Sequence, residues 1–313
     1  MTPSPAYLKS WHDGILTERV AEAFRRLESC TLCPRHCGVN RLDTIKGAVC
    51  RTGVRAVVSS AHPHFGEEAP LTGLHGSGTL FFAWCNLRCV FCQNWELSQQ
   101  GAGREVTPAE LASLMLHLQA QGCHNINLVT PSHVVHAVLA ALEMAIPAGL
   151  RLPIVYNTGG YDDLETLALL DGLIDIYMPD MKYADSATGR LLSRVRNYSE
   201  INRQAVREMH WQVGDLELDE QGVAIRGLLV RHLVLPSGLA GSDEIFRFLA
   251  TEISSNTYLN VMEQYHSDYK ANRHSQLQRR PTHEEYLSAV TSAHRHGLHR
   301  LDARDRRRSV FFF

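Results

Sequence analysis

Three cysteines, Cys85, Cys89 and Cys92, stand in C-x3-C-x2-C spacing after an apolar run, 79–84, that reads as a strand. Three thiolates this close cannot all pair as disulfides, and they are one ligand short of a closed tetrahedral metal site. An iron–sulfur cube held by three cysteines keeps one iron open to a further ligand, which makes a reactive centre. A zinc loop or a chance grouping is the plain alternative. A second group, Cys30, Cys33, Cys37 and Cys50, has C-x2-C-x3-C-x12-C spacing and offers four thiolates, enough to close a zinc or iron–sulfur site. Free thiols are the third reading of that group. His36 could substitute for one of its cysteines but reads as a surface residue, and the lone Cys123 reads as core.

The text Cys85-Asn86-Leu87-Arg88-Cys89-Val90-Phe91-Cys92-Gln93-Asn94, with an aromatic before the third cysteine, resembles the signature of the radical S-adenosylmethionine enzymes. More narrowly, it is similar to the pyruvate formate-lyase activating enzymes, the glycyl-radical activases. A poorly characterised branch of their homologues also carries a cysteine-rich segment like Cys33-Pro34-Arg35-His36-Cys37-Gly38. The resemblance implies a [4Fe-4S] cluster on Cys85, Cys89 and Cys92 whose fourth iron chelates S-adenosylmethionine. It also implies reductive cleavage of that cofactor to a 5′-deoxyadenosyl radical, and abstraction of a hydrogen atom, in the activases from a glycine of a partner protein.

These cysteines need a scaffold. From residue 79 the chain alternates apolar strand-like runs (79–83, 125–130, 153–157, 175–178, 227–235 and 257–264) with helical patterns (108–121, 133–146, 162–170, 198–212, 242–254 and 282–296). Such alternation predicts parallel pairing through right-handed crossovers. The expected fold is α/β, a partial (β/α)6 barrel, as the resemblance also implies. The expected division is an N-terminal helix (16–29, with Thr17 as N-cap) and metal-binding cysteine module over 1–60, then the barrel and its C-terminal helix over 61–313. Thr107, Pro108 and Glu110 form a helix-start signal. Residues 55–64 read as a short strand and turn, and the loop 62–71 as either a wall of the site or a connector. The tail, Arg304–Arg308 and Val310–Phe313, carries no clear function.

In such barrels the chemistry sits on loops at the C-terminal ends of the strands. Thr130-Pro131-Ser132-His133 stands where the activases carry Gly-Gly-Glu to receive the cofactor's amino group, so Thr130 and Ser132 become the hydroxyl candidates. His133 reads as a helix-start residue. Asn157-Thr158-Gly159-Gly160 and Met178-Pro179-Asp180-Met181-Lys182 resemble family text that holds a monovalent cation beside the cofactor. The implied ligands are Asn157, Thr158, Met178 and Asp180, with Asn157 replacing a family Asp and removing one charge. Asp180 and Lys182 share a strand face, which also permits a simple rim ion pair. Arg231, inside an apolar strand, needs an anion, and the resemblance offers the cofactor's carboxylate or ribose. His266 resembles a histidine that contacts the adenosyl group; an ordinary half-buried His is the alternative.

The chain is 313 residues long, 44% hydrophobic and 20% charged, with a formal net charge of -2, which points to neither nucleic acid nor a membrane surface as partner. Two cysteine groups before residue 93 predict metal binding in a reducing cytoplasm. The expected partners are a flavodoxin- or ferredoxin-type reductant and a protein substrate. Rival readings are a radical enzyme acting on a small molecule or another peptide site, and a non-catalytic iron–sulfur electron carrier or scaffold.

Overall fold

Six of the short apolar runs become parallel strands in the computed structural model, which describes residues 4–302. The strands in chain order are β1 (Ala56–His64), β2 (Ser77–Phe82), β3 (Arg104–Val106), β4 (Ile126–Val129), β5 (Ile154–Thr158), β6 (Ile176–Pro179), β7 (Glu217–Leu218), β8 (Ala224–Leu233) and β9 (Tyr258–Met262). The parallel series runs β2-β4-β5-β6-β8-β9. β5 and β6 are buried along their whole length, as central strands covered on both faces must be. The protein is thus a mixed α/β fold with a parallel-rich sheet. The sheet is not wholly parallel: β1 pairs antiparallel with β2, β3 with β1, and β7 with β8.

Helices Pro108–Ala120, Val135–Ala145, Leu164–Leu170, Tyr198–Val213 and Ser242–Phe248 fill the crossovers, and His283–Arg295 follows the last strand. The Thr107 start signal is a full capping box: Glu110 N donates to the Thr107 hydroxyl at 3.2 Å, and Thr107 N to the Glu110 carboxylate at 2.7 Å. The first long helix instead begins at Ile15 behind the left-handed Gly14, and Thr17 donates to Glu143 rather than capping it. Helices Tyr7–His12 and Ser186–Ser193 add to the expected set. The cysteine module, 27–53, contains only turns, and β1 then runs through residues 60 and 61. Cys123 lies in the main core. Among the described residues no helix is long and apolar enough to cross a membrane. The basic and aromatic tail lies outside the described residues.

Candidate active site

A cavity of about 430 Å³ opens where the parallel strands end, and Cys85, Cys89 and Cys92 all line it. β2 ends at Phe82, and the left-handed Trp84 (φ 67°) turns the chain from the strand into the cysteine loop. Such a backbone costs about 1 kcal/mol or more in a non-glycine residue and persists only where its surroundings impose it. The imposing contacts are Trp84 N to Leu97 O, at 2.9 Å, and the Arg51 guanidinium over the indole ring, at 5.3 Å. Phe91, the aromatic of the motif, is buried edge-on against Tyr265 and Tyr183. It anchors the loop between the second and third cysteines.

Each sulfur has a polar neighbour able to stabilise a thiolate. Leu87 N donates to Cys85 Sγ at 3.3 Å, while the hydroxyls of Ser193 and Ser98 stand 3.0 and 3.1 Å from Cys89 Sγ and Cys92 Sγ. Burial first, and then the charge of the neighbouring cysteines, pushes the Cys85 thiol up to about 12, and Cys92 also upward. A soft cation is therefore needed to hold these groups as thiolates. Among the described residues no three His, Cys, Asp or Glu side chains converge on a single-ion site. Three thiols lining one cavity leave a multi-iron cube one ligand short, and so open to a cofactor. The donor set fits a [4Fe-4S] cluster with one open iron.

The same cavity carries a belt of charge. Asp180 and Lys182 pair at the end of β6. Burial opposes the Lys182 charge, but Asp180 and the Cys89 thiol keep it protonated, above an ordinary lysine. Arg231 lines the same cavity, and its guanidinium is already paired within the protein. Nε and Nη2 grip both Glu68 oxygens at 2.7 Å, Nη2 also reaches Glu67, and Nη1 donates to Asn157 Oδ1 at 3.3 Å. Burial would raise Glu67, yet Arg231 and His64 hold it down at about 2. The anion that Arg231 requires is therefore found some 160 residues upstream, at sequence separations of 163 and 164.

The expected rim residues separate into two sets. Thr130, Asn157, Thr158, Asp180, Lys182 and Arg231 line the cavity. Thr130 is left-handed (φ 63°), so this rim carries a second constrained residue directly after a strand. Ser132 is buried behind the rim against the Thr158 hydroxyl (3.0 Å), and the Met178 side chain packs into a core cluster. His133 is fully buried before its helix; it meets Ala83 O at 3.0 Å, and burial pushes it down to about 3, so it stays neutral. His266 is half-exposed outside the lining, near Gln93 (3.2 Å). The oxygens expected to hold a cation already face the protein's own charge, Asn157 from Arg231 and Asp180 from Lys182. Glu67 and Glu68 lie in the loop 62–71, read from the sequence as a wall of the site or a connector, and His64, Gly66 and Glu67 of that loop line the cavity. Neither acid was singled out as a partner of Arg231, and Ser98 and Ser193 were not singled out at all. Paired acids between Gly66 and Pro70 offered a signal for the first two; nothing local marks the serines.

The second cysteine group packs directly behind the first. Arg35 Nε donates to Asn86 O at 2.8 Å, and Arg88 reaches Val49 O, beside Cys50, and Ser98 O (3.0 Å). Asn86 in turn donates to Tyr161 O at 2.7 Å. His36 turns away to Asp163 (2.7 Å).

A family model described as the Radical SAM superfamily matches residues 79–210. An uncharacterized protein of Methanocaldococcus jannaschii, MJ0674, is 32% identical over 293 residues, spanning 91% of this chain and 80% of its own. MJ0808 of the same organism is 31% identical over 109 residues, 30% of this chain and 32% of its own. Among solved structures, a radical SAM methyltransferase from Sphaerobacter thermophilus is similar with a TM-score of 0.47 and 14% identity, covering 70% of this chain and 64% of that one.

Proposed function

The chain belongs to the radical SAM superfamily, and from that membership we propose that it cleaves S-adenosylmethionine reductively in this cavity and abstracts a hydrogen atom from a substrate. The observation that carries the reading is that three cysteines share one cavity with the charged side chains of Asp180, Lys182 and Arg231. When bound, a [4Fe-4S] cluster and S-adenosylmethionine supply one-electron cleavage of the sulfonium and a 5′-deoxyadenosyl radical. Cys85, Cys89 and Cys92 hold the cluster. The Ser193 and Ser98 hydroxyls donate to two of the thiolates, and the buried Lys182 ammonium balances part of their charge. Thr130, Thr158 and Asp180 offer oxygens to the cofactor's ammonium and hydroxyl groups, and Phe91 and Leu87 keep water from the cluster side.

The hydrogen donor we propose is a glycine of a partner protein, as in the activases, with a low-potential flavodoxin- or ferredoxin-type protein as electron source. A small molecule or another peptide site is the second reading. It is favoured by Thr130–His133, which stands where the activases carry Gly-Gly-Glu. A monovalent cation beside Asn157, Thr158 and Asp180 belongs to the activase reading and would compete with Lys182 for Asp180. Replacing potassium and sodium by choline tests it: lost cofactor binding supports the cation, and unchanged binding removes it.

The deciding experiment is anaerobic reconstitution with iron and sulfide, then reduction with S-adenosylmethionine present. Methionine and 5′-deoxyadenosine should form in the native protein and fall at least ~100-fold in Cys89→Ala, since the open-iron cluster loses a ligand. A cluster that forms but neither binds nor cleaves the cofactor would establish the electron-carrier reading instead.

A further inference from the structure

The cavity leaves Cys30, Cys33, Cys37 and Cys50 unused. Three of them are buried, the fourth is half-buried, and all four thiols are free. Their surroundings carry more positive charge than the protein offsets. Arg41 is 1% exposed, and its Nε and Nη2 donate to Thr52 O at 2.7 Å and Gly53 O at 3.1 Å. Its remaining nitrogen, Nη1, points at Cys30 Sγ, 3.5 Å away. Guanidinium does not deprotonate in proteins, and a buried charge without a counter-ion costs several kcal/mol.

Three further arginines line the seam between the two cysteine groups. Arg35 spends its Nε and Nη1 on the carbonyls of Asn86 and Arg194, each at 2.8 Å, and its Nη2 is buried without a partner. Arg88 meets the carbonyls of Val49 and Ser98 and the Gln99 amide oxygen. Arg51 lies over the Trp84 ring. Among the described residues none of these four guanidiniums forms an ion pair with a carboxylate, whereas Arg26, Arg203, Arg207 and Arg231 all do. Negative charge belongs at both cysteine groups, and metal-bound thiolates supply it.

The Cys30 and Cys37 side chains hydrogen-bond each other, a spacing that suits zinc as well as iron. The contact of this group with the cavity cysteines, for which an electron carrier has a use and a zinc ion has none, favours iron–sulfur. We propose that Cys30, Cys33, Cys37 and Cys50 hold a second iron–sulfur cluster, closed by four thiolates and docked on the first through the Arg35–Asn86 and Arg88–Val49 contacts. It relays single electrons to the cavity. A low-potential flavin or iron–sulfur protein gives up one electron, the second cluster accepts it and passes it on, and that cluster returns to its starting state with no net proton change.

The test needs no turnover. After anaerobic reconstitution, native protein should hold about eight irons and the triple variant Cys85→Ala, Cys89→Ala, Cys92→Ala about four, with a reducible low-temperature electron-spin resonance signal retained. In that triple variant, Arg41→Gln should move the midpoint potential of the signal negative, because a nearby positive charge favours the reduced state; Arg41→Lys should restore most of it. Zinc without sulfide in the triple variant overturns the proposal, and so does a signal whose potential ignores Arg41. Because the triple variant lacks the cavity cysteines, an iron-loaded N-terminal group together with an inactive native protein would sink only the proposed function. Cofactor cleavage by a protein holding about four irons in all would sink only the second cluster.

Discussion

Arg231 shows what a single residue position can and cannot reveal. An arginine inside an apolar strand signals a missing anion, and that inference needs only the cost of burying charge. Its partners could not be read locally, because Glu67 and Glu68 precede β2 and meet Arg231 only when β8 has joined the sheet. Glu67 also sets a pH dependence. Its ordinary value of 4.5 is lowered to about 2 in the fold, against the pull of burial, by Arg231 and His64. A depressed carboxylate adds stability above its unfolded value and loses it as pH falls through the folded one. Native protein should therefore lose thermal stability between about pH 5 and pH 2 more steeply than Glu67→Gln, and at pH 7 the variant should be less stable by about 2 kcal/mol, since Glu68 still holds the guanidinium. Parallel acid melting curves for the two proteins would refute the assignment.

At the level of elements, strands and helices repeating in alternation announced the parallel-rich α/β sheet, and the six parallel strands lie within three residues of their expected ends. The antiparallel additions were less legible. β1 reads as a strand and turn because its burial is irregular and it carries Pro63, while β3 and β7 are only three and two residues long. A turn of π-helix, Glu96–Gln100, was equally hidden, yet it delivers Ser98 to Cys92. Hydrogen bonds to cluster sulfurs raise the reduction potential. Ser98→Ala should keep its iron content while the cavity cluster's midpoint moves negative by tens of millivolts, roughly 30 mV or more for a bond worth about 1 kcal/mol. An unmoved potential would mean that Ser98 only packs the turn. A tighter constraint sits on Gly160, where φ is 72° and an added Cβ would lie 2.1 Å from Asp180 O. Gly160→Ala should cost about 3 kcal/mol in urea unfolding, because backbone rather than a movable side chain blocks the methyl.

For the whole molecule, the two cysteine groups are one structural unit. The N-terminal module has only a small apolar cluster of its own, Leu27, Cys30 and Leu32, and it touches the sheet-bearing part through arginines that reach backbone carbonyls across the seam. Metal loading should accordingly raise the melting temperature of the entire chain in one transition, by at least ~3 °C. Two separated transitions would show that the module melts by itself. The 163-residue separation between Glu68 and Arg231 also bears on how the protein is made. Cys92 leaves the ribosome on the order of ten seconds before Arg231 at ordinary elongation rates. Through that interval the cavity lacks Arg231 and the strands that carry and follow it, and the cysteine thiols face solvent. Cluster insertion is then a late event that must wait for the last strands, or else needs an escort for the nascent thiols.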